Sequence, residues 1–112
     1  MKNKSILKLT VIAILFLAAT GATAADAKEN WEKACVKCHG ADSKGQTKMG
    51  QKLGIKDMTD ATVQSAFTDD KAFKSIKEGL KDKEDKTLMK AAEGLSDDEI
   101  KALVAFVRAF KK

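Results

Sequence analysis

Three residues with chemically active side chains stand together in the run Cys35-Val36-Lys37-Cys38-His39. They are both cysteines and the single histidine of the 112-residue chain, so chance placement explains them poorly. Residues three and four apart share a face of a helical turn, which puts two thiols and one imidazole side by side. A C-x-x-C-H run predicts covalent haem attachment, in which each thiol bonds a porphyrin vinyl group and His39 faces the iron.

Other interpretations of these residues are open but less favoured. A C-x-x-C pair can be a dithiol redox centre, but that chemistry is expected beside a βαβ pattern, and the sequence shows no convincing strand. A zinc site needs a fourth good ligand, and the chain has no third cysteine and no second histidine. A disulfide between residues three apart would close a very small loop and stabilise little.

The sequence around the motif resembles the class I c-type cytochromes, which are small electron carriers with one haem. The likeness covers residues 27–110. It rests on the motif, on Trp31 four residues before the first cysteine, and on residues 95–107, which are similar to the family's C-terminal helix. The resemblance implies an all-α cytochrome c fold, with about four short helices around one covalently attached haem c. It also implies that the last helix crosses the first near Trp31.

The resemblance further implies a methionine ligand on the opposite face of the porphyrin. Met89 lies six residues ahead of Leu95, on the segment that leads into the final helix, which is where the family carries its distal iron ligand. Met58 and an open or otherwise ligated sixth site are the alternatives, Met49 being within reach of the chain as well, and gap-filling in the core is the ordinary role of a methionine. The chain contains no proline. Relatives often have one just after the ligand methionine, and many use another proline's carbonyl to accept the ring N–H of the haem histidine. A carbonyl near Met49 is expected to accept that proton here.

Capping residues and apolar periodicity predict helices over residues 27–37, 61–67, 70–78 and 97–110. Asp60 is expected to cap the second helix, and Asp69 or Asp70 the third. Ser96 and Glu99 form the capping-box pattern of the last helix. The glycine-punctuated residues 40–54 and the mixed charge run 81–86 are predicted to be loops.

Residues 1–24 have the pattern of a cleaved secretory signal peptide. Lys2, Lys4 and Lys8 precede an uncharged stretch over residues 9–25, and Ala22-Thr23-Ala24 supplies the small residues of a cleavage site. The apolar run is short beside the roughly 20 residues of a membrane span. An uncleaved membrane anchor is the alternative. Cleavage would leave residues 25–112 as one monohaem cytochrome c domain, located in the periplasm.

The net charge also depends on this cleavage. Three of the 21 basic residues lie in the signal, so the remainder carries 18 basic against 16 acidic residues, a net charge of +2 rather than +5. Two haem propionates would bring the protein close to neutral, which gives no argument for a nucleic-acid partner. The chain is expected to be a monomer without a stable membrane span.

The expected function is one-electron transport between larger redox proteins that dock at the haem edge, without enzymatic activity. The alternatives are a haem-based ligand sensor or small haem enzyme with a labile sixth site, and an exported dithiol oxidoreductase. The second histidine and the tyrosine that could build a distal acid–base pocket are missing from the sequence.

Overall fold

The computed structural model describes residues 21–112, so the predicted signal peptide lies outside the described residues except for its last four. The described part contains six helices and one short hairpin. In chain order they are α1 (Ala24–Ala34), α2 (Val36–His39), α3 (Lys48–Leu53), α4 (Ala61–Ser65), α5 (Asp69–Glu78), β1 (Leu80–Lys81), β2 (Thr87–Met89) and α6 (Asp97–Arg108).

The predicted all-α class is confirmed, but several details of the prediction were wrong. There are six helices and not about four, because the predicted first helix is divided at Cys35 into α1 and α2 and because the predicted loop 40–54 contains α3. The cap of α3, Thr47, was not predicted. Thr68, not Asp69 or Asp70, caps α5, since its hydroxyl accepts the backbone N–H of Lys71. Strands also exist. Leu80 pairs with Met89 in an antiparallel hairpin whose charged tip is the predicted loop.

Helices α1 and α6 pack against each other as the frame of the fold. The indole of Trp31 lies 5.8 Å from the ring of Phe106 and 5.2 Å from that of Phe110, between ring centroids. Asn30 donates a hydrogen bond to the Glu99 carboxylate at 3.2 Å. The expected contact of Trp31 with the last helix is therefore confirmed.

Both framing helices begin with a capping box. Ser96 and Glu99 form the predicted box of α6, and Thr23 and Asp26 form a second one at α1. A capping box satisfies two backbone N–H groups that a helix start would leave unpaired. Because α1 begins at Ala24, cleavage at the predicted position would remove Thr23 and with it this box.

The buried core of the described residues is small. Its apolar side chains are those of Ala27, Trp31, Ile76, Ile100, Leu103 and Val104. They come from α1, α5 and α6, so α5 is the third helix of the core. A core of this size gives a small domain little stability by itself.

Arg108 at the end of α6 ties that helix to the α4–α5 connection. Its Nε donates to Asp69 Oδ1 at 2.7 Å, its Nη2 donates to the Phe67 carbonyl at 2.7 Å, and its Nη1 donates to Gln64 Oε1 at 3.0 Å. The guanidinium carbon also lies 4.3 Å from the centroid of the Phe67 ring. This arginine, the single one in the sequence, therefore has a structural role: it stabilises the packing of α6 against the α4–α5 connection.

Candidate functional site

The two cysteines and the histidine lie on one turn, as their spacing predicts. The helix is interrupted at Cys35, which ends α1 and precedes α2. The Cys35 carbonyl accepts the N–H of Cys38 at 3.2 Å and that of His39 at 2.9 Å, which closes the turn. Both cysteines are free thiols and half-buried. A pair of thiols and an imidazole are thus presented together at the end of α1.

Residues 35–50, called here the attachment segment, are held together by hydrogen bonds within the segment itself. The N–H of Gly45 donates to the His39 carbonyl at 2.8 Å. The Thr47 hydroxyl donates to the Cys38 carbonyl and accepts the N–H of Gly50 at 2.9 Å. A Cβ at Gly50 would lie 2.6 Å from the Cys38 carbonyl oxygen, so α3 packs directly on the turn. Sequence reasoning missed Thr47, although threonine is among the preferred N-cap residues.

The imidazole of His39 lies beside Trp31, with 5.5 Å between ring centroids. Burial lowers its pKa, because desolvation penalises the charged form. The ring is therefore favoured as neutral imidazole, the form that binds a metal. The Nδ1 atom is buried, and no group in residues 21–112 makes a hydrogen bond to it. The predicted carbonyl acceptor near Met49 is not found.

Cys35 differs from a catalytic thiol. Its pKa is raised to about 11, mainly by burial and also by the neighbouring Cys38. Nucleophilic cysteines of dithiol oxidoreductases have lowered pKa values, because the thiolate is the reactive form. The environment of Cys35 therefore disfavours dithiol redox chemistry. It suits an uncharged sulfur, such as that of a thioether.

Met89 ends β2 and is half-buried. It packs against a cluster of buried side chains that Cys35 also packs against, formed by Trp31, Ile76, Ile100, Leu103 and Val104. Met49 is 37% exposed and Met58 lies in the loop before α4; neither belongs to this cluster. The structure therefore brings Met89, of the three methionines in residues 21–112, to the same core as the attachment segment.

These residues fit a covalently held haem. Two free thiols and a neutral imidazole share one turn, and a methionine on a separate segment packs against the same core. Within residues 21–112, no three His, Cys, Asp or Glu side chains are grouped to hold a metal ion by themselves.

Comparisons with known proteins agree with this fit. The family model described as Cytochrome c matches residues 24–111, which is most of the chain. The chain therefore belongs to the cytochrome c family. The structure is similar to that of the KustC0563 c-type cytochrome, with a TM-score of 0.67 and 34% identity over 78% of this chain and 99% of that one.

A mutant of the same cytochrome gives a TM-score of 0.64 and 33% identity, over 77% of this chain and 99% of that chain. A search of curated proteins finds no match. Members of the family carry a covalently bound haem c, with its iron, and transport electrons, so this chain is a haem-binding electron carrier. The expected cytochrome c fold and the expected cofactor are thereby confirmed. No helix of residues 21–112 combines the length and the apolar character that crossing a membrane requires.

Proposed function

We propose that the chain is a periplasmic one-electron carrier in which Cys35 and Cys38 form the two thioether bonds to haem c. His39 and Met89 are the two axial iron ligands in this proposal. The observation that carries it is the packing of Met89 and Cys35 against one buried cluster, from two separate segments of the chain. Met49 and Met58 lack that contact and are therefore the weaker candidates.

Ligation by histidine and methionine suits electron transport better than catalysis. With both axial positions occupied by the protein, oxygen or peroxide has no vacant position to enter. A thioether ligand also raises the reduction potential relative to a second nitrogen ligand. The haem supplies the one-electron chemistry, and the protein supplies position, burial and electrostatics.

His39 has one nitrogen for each of two tasks. Its Nδ1 is enclosed by protein, which leaves Nε2 as the atom that binds the iron and Nδ1 as the atom that carries the proton. An acceptor for that proton would orient the ring and strengthen its donation to the iron.

An enzymatic role lacks the groups that it would need. A peroxidase-like pocket uses a distal histidine or arginine, and the single histidine belongs to the attachment turn. Arg108 is engaged with Asp69, Gln64 and Phe67, away from Met89 in sequence and on a different element. The described residues therefore give little material for acid–base catalysis beside the haem.

Exposed lysines provide a surface for acidic redox partners near the haem edge. They are Lys37, Lys48, Lys52, Lys86 and Lys90, and none of them forms an ion pair within residues 21–112. Unpaired charges of one sign steer a partner of opposite charge and raise the association rate. Electron-transfer complexes are small and short-lived, so a gain in encounter rate matters more than affinity.

The ligand assignment is tested by replacing Met89 with Ala and, as the matched control, Met58 with Ala. Met89→Ala should abolish the near-infrared charge-transfer band of thioether ligation in the oxidised protein and let carbon monoxide bind the reduced protein readily. Met58→Ala should change neither property. Unchanged thioether ligation in Met89→Ala would exclude Met89 as the ligand, and ready carbon monoxide binding by the wild type would favour the sensor.

The docking surface is tested by charge reversal. Lys48→Glu with Lys52→Glu should slow electron transfer to an acidic redox partner at low ionic strength by roughly tenfold, because steering changes association rates by factors of 10 or more. Lys74→Glu on α5 changes one charge at another exposed position and is the control, expected to have a much smaller effect. Rates that stay flat from low to high salt in the wild type would exclude steering.

A further inference from the structure

Gly79, between α5 and β1, touches the backbone of the residues around Met89. Its φ is +79°, a backbone conformation that residues other than glycine rarely adopt. A Cβ at this position would lie 2.6 Å from the Met89 carbonyl oxygen and 2.9 Å from the Ala91 nitrogen. Only a hydrogen fits there, so any side chain would push residues 89–91 away from the end of α5.

Other contacts hold the same two pieces of chain together. Leu80 pairs with Met89 across the hairpin, and the N–H of Ala92 donates to the Ile76 carbonyl at 2.8 Å. The end of α5 thus runs alongside residues 87–92, called here the Met89 segment. The chain has no proline to stiffen this segment, so its position depends on these contacts.

We propose that Gly79 is a positioning residue for the Met89 sulfur. Because position 79 has no side chain, the end of α5 can lie directly against the Met89 backbone, which fixes the distance from the core to the sulfur. The proposal rests on the proposed function, in which Met89 is the distal ligand. It assigns Gly79 no contact with the haem and no part in electron transfer itself.

Gly94 offers a matched control in the same connection to α6. Its φ is +78°, nearly that of Gly79, but a Cβ at Gly94 would meet nothing within 4 Å. Gly79→Ala and Gly94→Ala both place a Cβ on a residue with positive φ, and only the first adds a steric conflict with the Met89 segment. Gly79 also has a ψ of 178°, a combination that only glycine adopts readily, so a difference between the two variants reports the local geometry of position 79 as a whole.

The experiment measures the thioether charge-transfer band of the oxidised holoprotein and the affinity of the reduced protein for carbon monoxide. Gly79→Ala should weaken the band and raise that affinity by about tenfold or more over Gly94→Ala, as expected for a bond displaced by overpacking. The pair Gly79→Ser and Gly94→Ser repeats the comparison with a second small side chain if Gly79→Ala fails to fold.

Equal spectra and equal carbon monoxide affinities in the two members of a pair would overturn the role of Gly79. The failure of this inference is distinguishable from that of the proposed function. If Met89→Ala retains the thioether band, the ligand assignment itself is wrong. If Met89→Ala loses the band while the Gly79 variants match the Gly94 variants, only the positioning role is wrong.

Discussion

The two sides of the candidate haem site are built differently. The attachment segment is organised by hydrogen bonds whose two partners both lie inside it, such as those from Gly45 to His39 and from Thr47 to Cys38. The Met89 segment is held from outside itself, through the close approach of Gly79 and the bond from Ala92 to Ile76. The attachment segment is therefore stabilised by contacts within itself, whereas the Met89 segment is stabilised by contacts with α5 and with Gly79 directly after it.

The two kinds of contact predict which side of the candidate haem site is displaced first. Hydrogen bonds within one segment survive small shifts of the other helices, because they depend on few other elements. Contacts between two segments are lost when either segment moves. Displacement of Met89 is therefore the expected first event when the protein is stressed, with the two thioether bonds and His39 still in place.

The largest effect is expected on removing the covalent anchors of the attachment segment. The double change Cys35→Ser and Cys38→Ser keeps the size of each side chain and eliminates both sulfurs. After expression with the maturation machinery, the exported chain should contain no covalent haem, as judged by intact mass and haem staining. Val36→Ala, inside the same turn, is the control and should load haem normally. Retained covalent haem in the double variant would contradict the attachment assignment.

The same double variant tests how far the protein core depends on the haem. The buried apolar side chains of residues 21–112 are few, and a small domain of this kind needs an additional constraint such as a covalently bound cofactor. We expect the haem-free chain to show weak helicity and no cooperative unfolding at 25 °C by circular dichroism. A sharp melt at or above room temperature would show that α1, α5 and α6 form a stable core by themselves.

A substitution at Thr47 tests the stability of the attachment segment independently of iron ligation by Met89. Thr47→Val removes a hydroxyl that bonds both the Cys38 carbonyl and the Gly50 N–H. The loss of a cap and a buried hydrogen bond should lower the free energy of unfolding by about 1–2 kcal/mol. The thioether band should be unchanged, in contrast to the Gly79 variants.

The control for that change is Thr62→Val, on α4. The Thr62 hydroxyl makes no hydrogen bond within residues 21–112, so this substitution should change the unfolding free energy far less. Loss of the thioether band in Thr47→Val would mean that the two sides of the site are coupled, against the comparison drawn above.

The smallest effect concerns the frame that both sides share. Hydrogen bonds from the Ser96 backbone and from the Asn30 and Ser96 side chains lower the pKa of Glu99 in the folded protein. A lowered folded pKa gives stability at pH values above the unfolded pKa, and that stability is lost as the pH falls through the folded value. Glu99→Gln should therefore make unfolding slightly less dependent on pH in the acid range.

Denaturant unfolding of the holoprotein at a series of acid pH values measures this dependence. Glu32→Gln, an exposed change on α1 with no hydrogen bond to lose among the described residues, is the control. An identical pH dependence in the wild type and Glu99→Gln would show that the capping box contributes nothing to acid stability.

The attachment side could be predicted from sequence because its chemistry and its geometry are both local. The spacing of Cys35, Cys38 and His39 fits one turn, and Ser96 with Glu99 marks the start of α6 without reference to any other element. Trp31 was correctly expected against the last helix. Thr47 was missed, since a short helix such as α3 leaves little but its cap as a signal. Thr68 was missed because Asp69 and Asp70, which follow it directly, are equally good candidates for the cap of α5.

The Met89 side was harder to predict because its contacts join residues that no local pattern connects. The hairpin was missed because its strands hold two and three residues, too few to show alternation. The close approach of Gly79 to Met89 depends on how α5 meets the hairpin, which is a tertiary property. The acceptor expected for His39 near Met49 is a different case, because Nδ1 makes no hydrogen bond within residues 21–112.

The central claim is that His39 and Met89 together hold the iron of a covalently attached haem. Its most direct test is the absorption spectrum of the purified, oxidised holoprotein in the near infrared, compared between the wild type and Met89→Ala. The wild type should show a thioether charge-transfer band that disappears in the variant. A wild-type spectrum without that band, or a variant spectrum that keeps it, would contradict the claim.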